Sequence, residues 1–218
     1  MRIAGIDYSK NCPAVVKFEL DDNLDIVEKD YISFTTVKKT AALDSKLIFH
    51  HKKEFKDDFI KAETHRDDIR NFLGVTHTYD YIAFEHYALN AKGKVFDIAE
   101  STACIKFYLY DRGIKLRFYD PLSIKMFWAE KGNVDKKKMQ DIHDEHVDGF
   151  DLAHLPQYNN PREDICDAFW VAKMLQMELK VRQGILHTRT FPEHQVKVFN
   201  RCTKAYPENI LVREFTQK

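Results

Sequence analysis

Most of what this chain lacks excludes a class of function. Its 218 residues carry no surplus of charge, with Lys and Arg together numbering 34 and Asp and Glu also 34. Net charge therefore gives no sign of a nucleic-acid partner, since DNA binders usually carry a basic excess. No run approaches the roughly 18 apolar residues of a membrane span. The first residues enter a β-prone run rather than a signal peptide, so a cytoplasmic protein with no membrane partner is expected. No C-x-x-C pair exists. Cys12, Cys104, Cys166 and Cys202 are scattered and read as reduced intracellular thiols rather than a disulfide framework or zinc site. His143 and His146 share a helix face, but no acid or cysteine completes a zinc set at a familiar spacing. Ser9 and the 10 dispersed histidines form no triad motif. What remains is an ordinary globular composition, 44% hydrophobic and 31% charged. A chain of this size makes one domain, or one with decorations, around a real core.

The informative stretch runs from Asn160 to Trp170. Asn160 suits a helix N-cap and Pro161 the first helical position, where a missing N–H costs nothing. Ile165, Ala168, Phe169, Ala172, Leu175 and Leu179 then recur at helical spacing. On that helix Asp164 and Asp167 lie one turn apart, within roughly 60° of each other. Acids in a first turn also suit the positive end of the helix dipole, which is the alternative reading of this pair. Two more acids close apolar, β-prone runs: Asp7 after Arg2-Ile3-Ala4-Gly5-Ile6, and Glu85 after Tyr81-Ile82-Ala83-Phe84. A carboxylate at a buried strand end is costly unless it is paired or binds a cation. Four acids from two strands and one helix make an oxygen-ligand site suited to Mg²⁺ or Mn²⁺.

Gly5-Ile6-Asp7-Tyr8-Ser9, then Ile82-Ala83-Phe84-Glu85, then Asp164-x-x-Asp167-Ala168 resembles the RuvC-type Holliday-junction resolvases of the RNase H-like superfamily, in the flavour of the phage-encoded members. The match in order and rough spacing covers residues 1–20 and 80–180. The resemblance implies an α/β fold, with a five-stranded mixed sheet and helices on both faces. It implies a metal-dependent endonuclease that cuts branched DNA, most simply a four-way junction, as a homodimer. Asp7, Glu85, Asp164 and Asp167 would be the catalytic and metal-binding acids, holding two ions about 3.5–4 Å apart. Asp7 would bridge them, Glu85 and Asp167 would complete the two shells, and Asp164 would act through water or as a base. An actin-like ATPase also shares the Gly5–Ser9 motif, but no second glycine-rich phosphate loop accompanies it.

Along the chain, residues 2–7, 12–19 and 24–34 read as three strands of an antiparallel meander, turned at Asp21-Asp22-Asn23. An insertion around 37–62 is rich in lysine and reads either as a solvated loop or as a DNA-contacting excursion. Residues 57–73 read as a helix stopped by Gly74, and 75–87 as the strand bearing Glu85. Residues 95–110 read as a helix apolar on more than one face, which needs cover from a second copy or from the C-terminal segment. A strand at 116–119 and helices at 122–130 and 135–147 precede the acid-bearing helix, which runs to about Gln183. The nuclease domain is thus expected over 1–184, with 185–218 a C-terminal extension that packs on the core or touches DNA.

The balanced total charge hides a local surplus. Residues 92–139 hold eleven Lys and Arg against six acids. Lys125 and Lys136 fall where the resemblance places lysines on the phosphate backbone. Lys137, Lys138, Lys92 and Lys94 extend the basic set, whose alternative is a solvated helix face. The bacterial resolvases carry an aromatic wedge three residues after the strand-end glutamate. Here that place is Ala88, and Tyr87 one residue earlier is the candidate DNA contact. Forks, flaps or RNA-containing duplexes are alternative substrates, and a non-cleaving nucleic-acid-binding relative is the alternative without chemistry.

Overall fold

The computed structural model describes residues 1–9, 11–35, 48–50, 55–74, 79–87 and 95–205. Strands β1 (Arg2–Asp7), β2 (Ala14–Leu20) and β3 (Ile26–Thr35) form the expected antiparallel meander. Strands β5 (Tyr81–Glu85) and β6 (Lys115–Tyr119) add in parallel on the other side of β1. These five make the mixed sheet read from the sequence. A three-residue strand, β4 (Ile48–His50), extends it by pairing parallel to β3, giving the order β4-β3-β2-β1-β5-β6. So part of the Lys-rich insertion is a sheet edge. Residues 36–47 and 51–54 of that insertion lie outside the described residues.

Alternation along the strands sends side chains to two separate cores. Ile3, Val16, Phe18 and Ala83 face helix α5 (Arg162–Arg182), while Ala4, Ile6, Val15 and Phe84 face the side of α1 (Asp58–Leu73) and α2 (Val95–Asp111). α5 is buried nearly all round, from Ile165 and Phe169 on the sheet side to Trp170, whose indole N–H donates to Met139 O at 3.2 Å. Its outer face is covered by α3 (Pro121–Ala129) and α4 (Lys136–Glu145).

Local chemistry sets the helix starts. Asp57, Asp120 and Asp135 accept from the backbone N–H of Ile60, Leu122 and Lys138 at 2.8, 3.0 and 2.8 Å. The α5 start differs from the sequence reading. Pro161, after a cis peptide bond, takes the cap position itself and no side chain caps the helix. The preceding turn makes a cap unnecessary, because Asn159 O accepts from Glu163 N at 3.2 Å. Arg162 pins this entry by donating to Leu152 O at 3.0 Å and to Asp144. Beyond α5 the chain forms a short 3₁₀ turn (Thr188–Thr190) and helix α6 (Glu193–Ala205). α6 lies on α3, with Phe199 and Phe127 centroids 5.0 Å apart and Gln195 donating to Phe127 O. That is the opposite sheet face from α2, so the described part of the C-terminal segment does not cover α2. No helix among the described residues is long and apolar enough to cross a membrane.

Candidate active site

The site forms where β1 and β5 end side by side. Their parallel register pairs Ile6 with Phe84, which brings Asp7 and Glu85 together at the C-terminal ends of these two central strands. Gly5 then decides how close α5 can come. A Cβ at that position would sit 2.5 Å from Ala168 O and closer still to Ala172 N, so only glycine lets the α5 backbone lie flat on β1. That contact sets the first two turns of α5, with Asp164 and Asp167, over the strand ends.

The electrostatics bind the four acids into one unit. Burial pushes Asp7 up to about 7, helped by the negative charge of Asp167 and opposed by Lys136 and a hydrogen bond shared with Glu85. Burial raises Glu85 well above the carboxylate range, with Asp7 and Asp167 adding to the effect. Asp164 is raised by burial and by Asp7, against Lys136 and the Cys12 thiol. Asp167 is raised by burial, while Lys136 and Lys125 pull it back. One answering cation is in direct contact: Lys136 Nζ lies 3.3 Å from Asp167 Oδ2 and 3.4 Å from Glu163 Oε2. These acids hold the Lys136 ammonium firmly protonated.

The donor set fits a hard divalent cation. All four acids offer oxygen, their like charges are crowded away from water, and Asp164 Oδ2 is buried with no hydrogen-bond partner among the described residues. The side chains as placed do not converge as a finished cage, since among the described residues no three acidic, His or Cys groups stand at ligand spacing. Lys136 neutralises the cluster in this arrangement.

The basic candidates divide. Lys136 is in the acid cluster. Lys125 donates to Val134 O at 3.1 Å and is near enough to lower Asp167. Lys137 and Lys138 are exposed on the first turn of α4, Lys137 over the Tyr158 ring at 5.1 Å. Lys92 and Lys94 lie outside the described residues, as does Ala88. Tyr87 is half-buried and its hydroxyl accepts from Lys106 Nζ at 2.8 Å, so it does not project as a free wedge. His143 and His146 serve the fold: His143 Nε2 accepts from Phe150 N at 3.2 Å, and His146 Nδ1 from Asp148 N at 3.0 Å.

The sequence reading passed over three residues here. Glu163 shares Lys136, and its place one turn before Asp167 was the available signal. The Cys12 thiol touches the Asp164 carboxylate from the start of β2, which no local pattern reveals. Lys106 was one of eleven basic residues, with only its apolar neighbours Ile105 and Phe107 to single it out.

A mixed sheet opened by an antiparallel meander, with acids at the ends of β1 and β5 and on the helix crossing them, is an RNase H-like α/β fold. Within that class the chain has the RuvC-type resolvase fold. It superposes on Thermus thermophilus RuvC with a TM-score of 0.53 at 12% identity, covering 85% of this chain and 98% of that one. The same values hold for T. thermophilus RuvC in complex with a Holliday junction substrate. The crystal structure of the yeast mitochondrial Holliday junction resolvase Ydc2 gives 0.54 at 12% identity, covering 83% of this chain and 80% of that one. No protein-family profile and no curated protein sequence matches the chain.

Proposed function

We propose that this protein is a metal-dependent endonuclease that cuts branched DNA, resolving four-way junctions as a homodimer. The observation that carries the reading is the gathering of Asp7, Glu85, Asp164 and Asp167 where β1 and β5 end beneath α5, with their protons held by burial and by one another's charge. Mg²⁺ or Mn²⁺, two ions in the full site, would supply that charge and the Lewis acidity that phosphodiester hydrolysis needs. Asp7, whose carboxyl interacts with both Glu85 and Asp167, would be the ligand the ions share, and Glu85 and Asp167 would complete their shells. Asp164, whose Oδ2 is buried without a hydrogen-bond partner among the described residues, would act through a water or as a base. Lys136 and Lys125, at the rim, take the phosphate flanking the cut, and Lys137 and Lys138 extend that contact along the backbone. Lys92 and Lys94 add to the same basic set in sequence.

The dimer reading rests on α2, where Phe96 is 81% exposed and Phe107 68%. Two large apolar side chains so placed on one helix suit a second copy, and a two-fold pair of sites matches the two symmetric nicks that a four-way junction requires. A specific observation favours a second reading of the substrate. Tyr87 is tied to Lys106 rather than standing free to part a junction, which suits a fork or flap with the same chemistry. Incubating the protein with junction, fork, flap, linear duplex and RNA–DNA hybrid, with and without Mg²⁺, separates these. Paired nicks in strands of like polarity on the junction are the expected result. Single cuts confined to forks or flaps would transfer the assignment to the second reading.

A further inference from the structure

Lys106 is the one charged residue in the inner part of α2 that meets aromatic rings in place of an acid. Its ammonium lies over the rings of Tyr87, Phe118 and Phe84, at 4.3, 4.7 and 5.6 Å from their centroids. Its hydrogen bond goes to the Tyr87 hydroxyl at 2.8 Å. No carboxylate among the described residues pairs with it, whereas Lys173 and Lys180 on α5 each have an aspartate. The segment joining β5 to α2, residues 88–94, contains two lysines and no acid in its sequence, so it brings no countercharge either. A partly buried ammonium with no anion is expensive, and burial lowers Lys106 to about 8. The rings offset part of that cost, because a cation over an aromatic face is attracted to the ring's negative face. They do not neutralise it.

The position gives this charge, unpaired by any carboxylate among the described residues, a use. Phe84 and Phe118 are the residues just before the ends of β5 and β6, and Phe84 precedes Glu85. Strand alternation sends Glu85 toward α5 and Phe84 toward α2. Lys106 therefore lies at the same end of the sheet as the four acids but on the opposite face. A DNA backbone whose scissile phosphate rests on the acids lies against this end of the sheet, and Lys106 stands at that end on the α2 face.

We propose that Lys106, seated on Phe84, Tyr87 and Phe118, is a subsite for a backbone phosphate of the bound DNA, on the opposite face of the sheet from the acids. This rests on the nuclease reading and adds to it a contact that neither the acids nor the α4 lysines supply. The incoming phosphate takes the position of missing counter-ion, and the Tyr87 hydroxyl, already bonded to the ammonium, keeps it aimed. The subsite reads charge and not base identity, so its loss weakens binding to all sequences alike.

The test uses the full chain carrying Asp7→Asn, so that DNA stays uncut, and a fluorescent four-way junction in Mg²⁺ across a range of NaCl. Lys106→Met keeps the side-chain length over the rings, Lys106→Gln keeps a polar head for Tyr87, and Lys106→Arg keeps the charge. Met and Gln should each lower affinity severalfold at low salt and reduce the slope of log affinity against log salt by about one, as loss of a single phosphate contact does. Arg should keep the parent slope. A strut that only supports Tyr87 would lower melting temperature without moving the slope. Unchanged slopes in both Met and Gln variants, beside a parent that binds, would overturn the subsite alone. A parent that binds no DNA at all would overturn the nuclease reading and the subsite with it.

Discussion

Asp7 is where the physics of the site is most concentrated. Its proton is held up to about 7 by burial and by Asp167, far above an ordinary aspartate. A group raised in this way stabilises the fold fully below the ordinary carboxylate range, and that contribution is lost as pH rises through about 7. In chelator, the wild type should therefore melt close to Asp7→Asn near pH 5 and below it near pH 8, by a few degrees. Mg²⁺ should close the gap at the higher pH. A gap that stays constant with pH would mean Asp7 is not crowded by its neighbours. Lys136 gives the complementary test. It is the cation in contact with Asp167 and Glu163, so Lys136→Met should lower the metal-free melting temperature, and Mg²⁺ should recover most of the loss. Melting scans of both proteins with and without Mg²⁺ check this, and a loss that Mg²⁺ leaves untouched would assign Lys136 a purely structural pairing.

At the scale of elements, the close approach of α5 to β1 builds the site, and Gly5 permits it. Gly5→Ala should cost about 3 kcal/mol or more, because the new methyl meets helix backbone rather than a side chain that can turn aside. Denaturant unfolding measures that, and cleavage should fall with it, since α5 carries Asp164 and Asp167. A variant of wild-type stability would show that the helix can stand off the sheet. The elements that build the site were legible in the sequence because each declares itself locally. β1 and β5 are short apolar runs closed by an acid, and α5 repeats its apolar residues at helical spacing. What was not legible depends on partners far along the chain. The start of α5 is set by Asn159, Leu152 and Asp144 rather than by an Asn160 cap. β4 is three residues inside a lysine-rich stretch, too short to show a period. α6 gains its place from Phe127 on α3, so its 13 residues read only as an extension. The aromatics around Lys106 come from β5, the turn after it and β6, while the lysine itself is on α2, and no spacing within any one of them announces the group.

The whole molecule is neutral but not uniform. The acids gather where β1 and β5 end, with Lys136 of α4 in contact and Lys125 of α3 near, so the balanced total conceals a local separation of charge. On the α2 side the exposed Phe96, Phe107 and Tyr110 remain without cover from the described C-terminal residues, which lie across the sheet. Light scattering at micromolar concentration should give twice the 25.7 kDa chain mass, and Phe107→Glu should return the single-chain value. A monomer with or without DNA would remove the two-fold pair of sites and favour a single-cut enzyme.

The most direct measurement of the central claim is strand cleavage of an end-labelled four-way junction by the wild type and by Asp7→Asn. The wild type should make symmetric nicks in Mg²⁺ and none in chelator, and Asp7→Asn should make none in either condition although it still binds the junction. Cutting by Asp7→Asn at the wild-type rate in Mg²⁺, or undiminished cutting by the wild type in chelator, would contradict it.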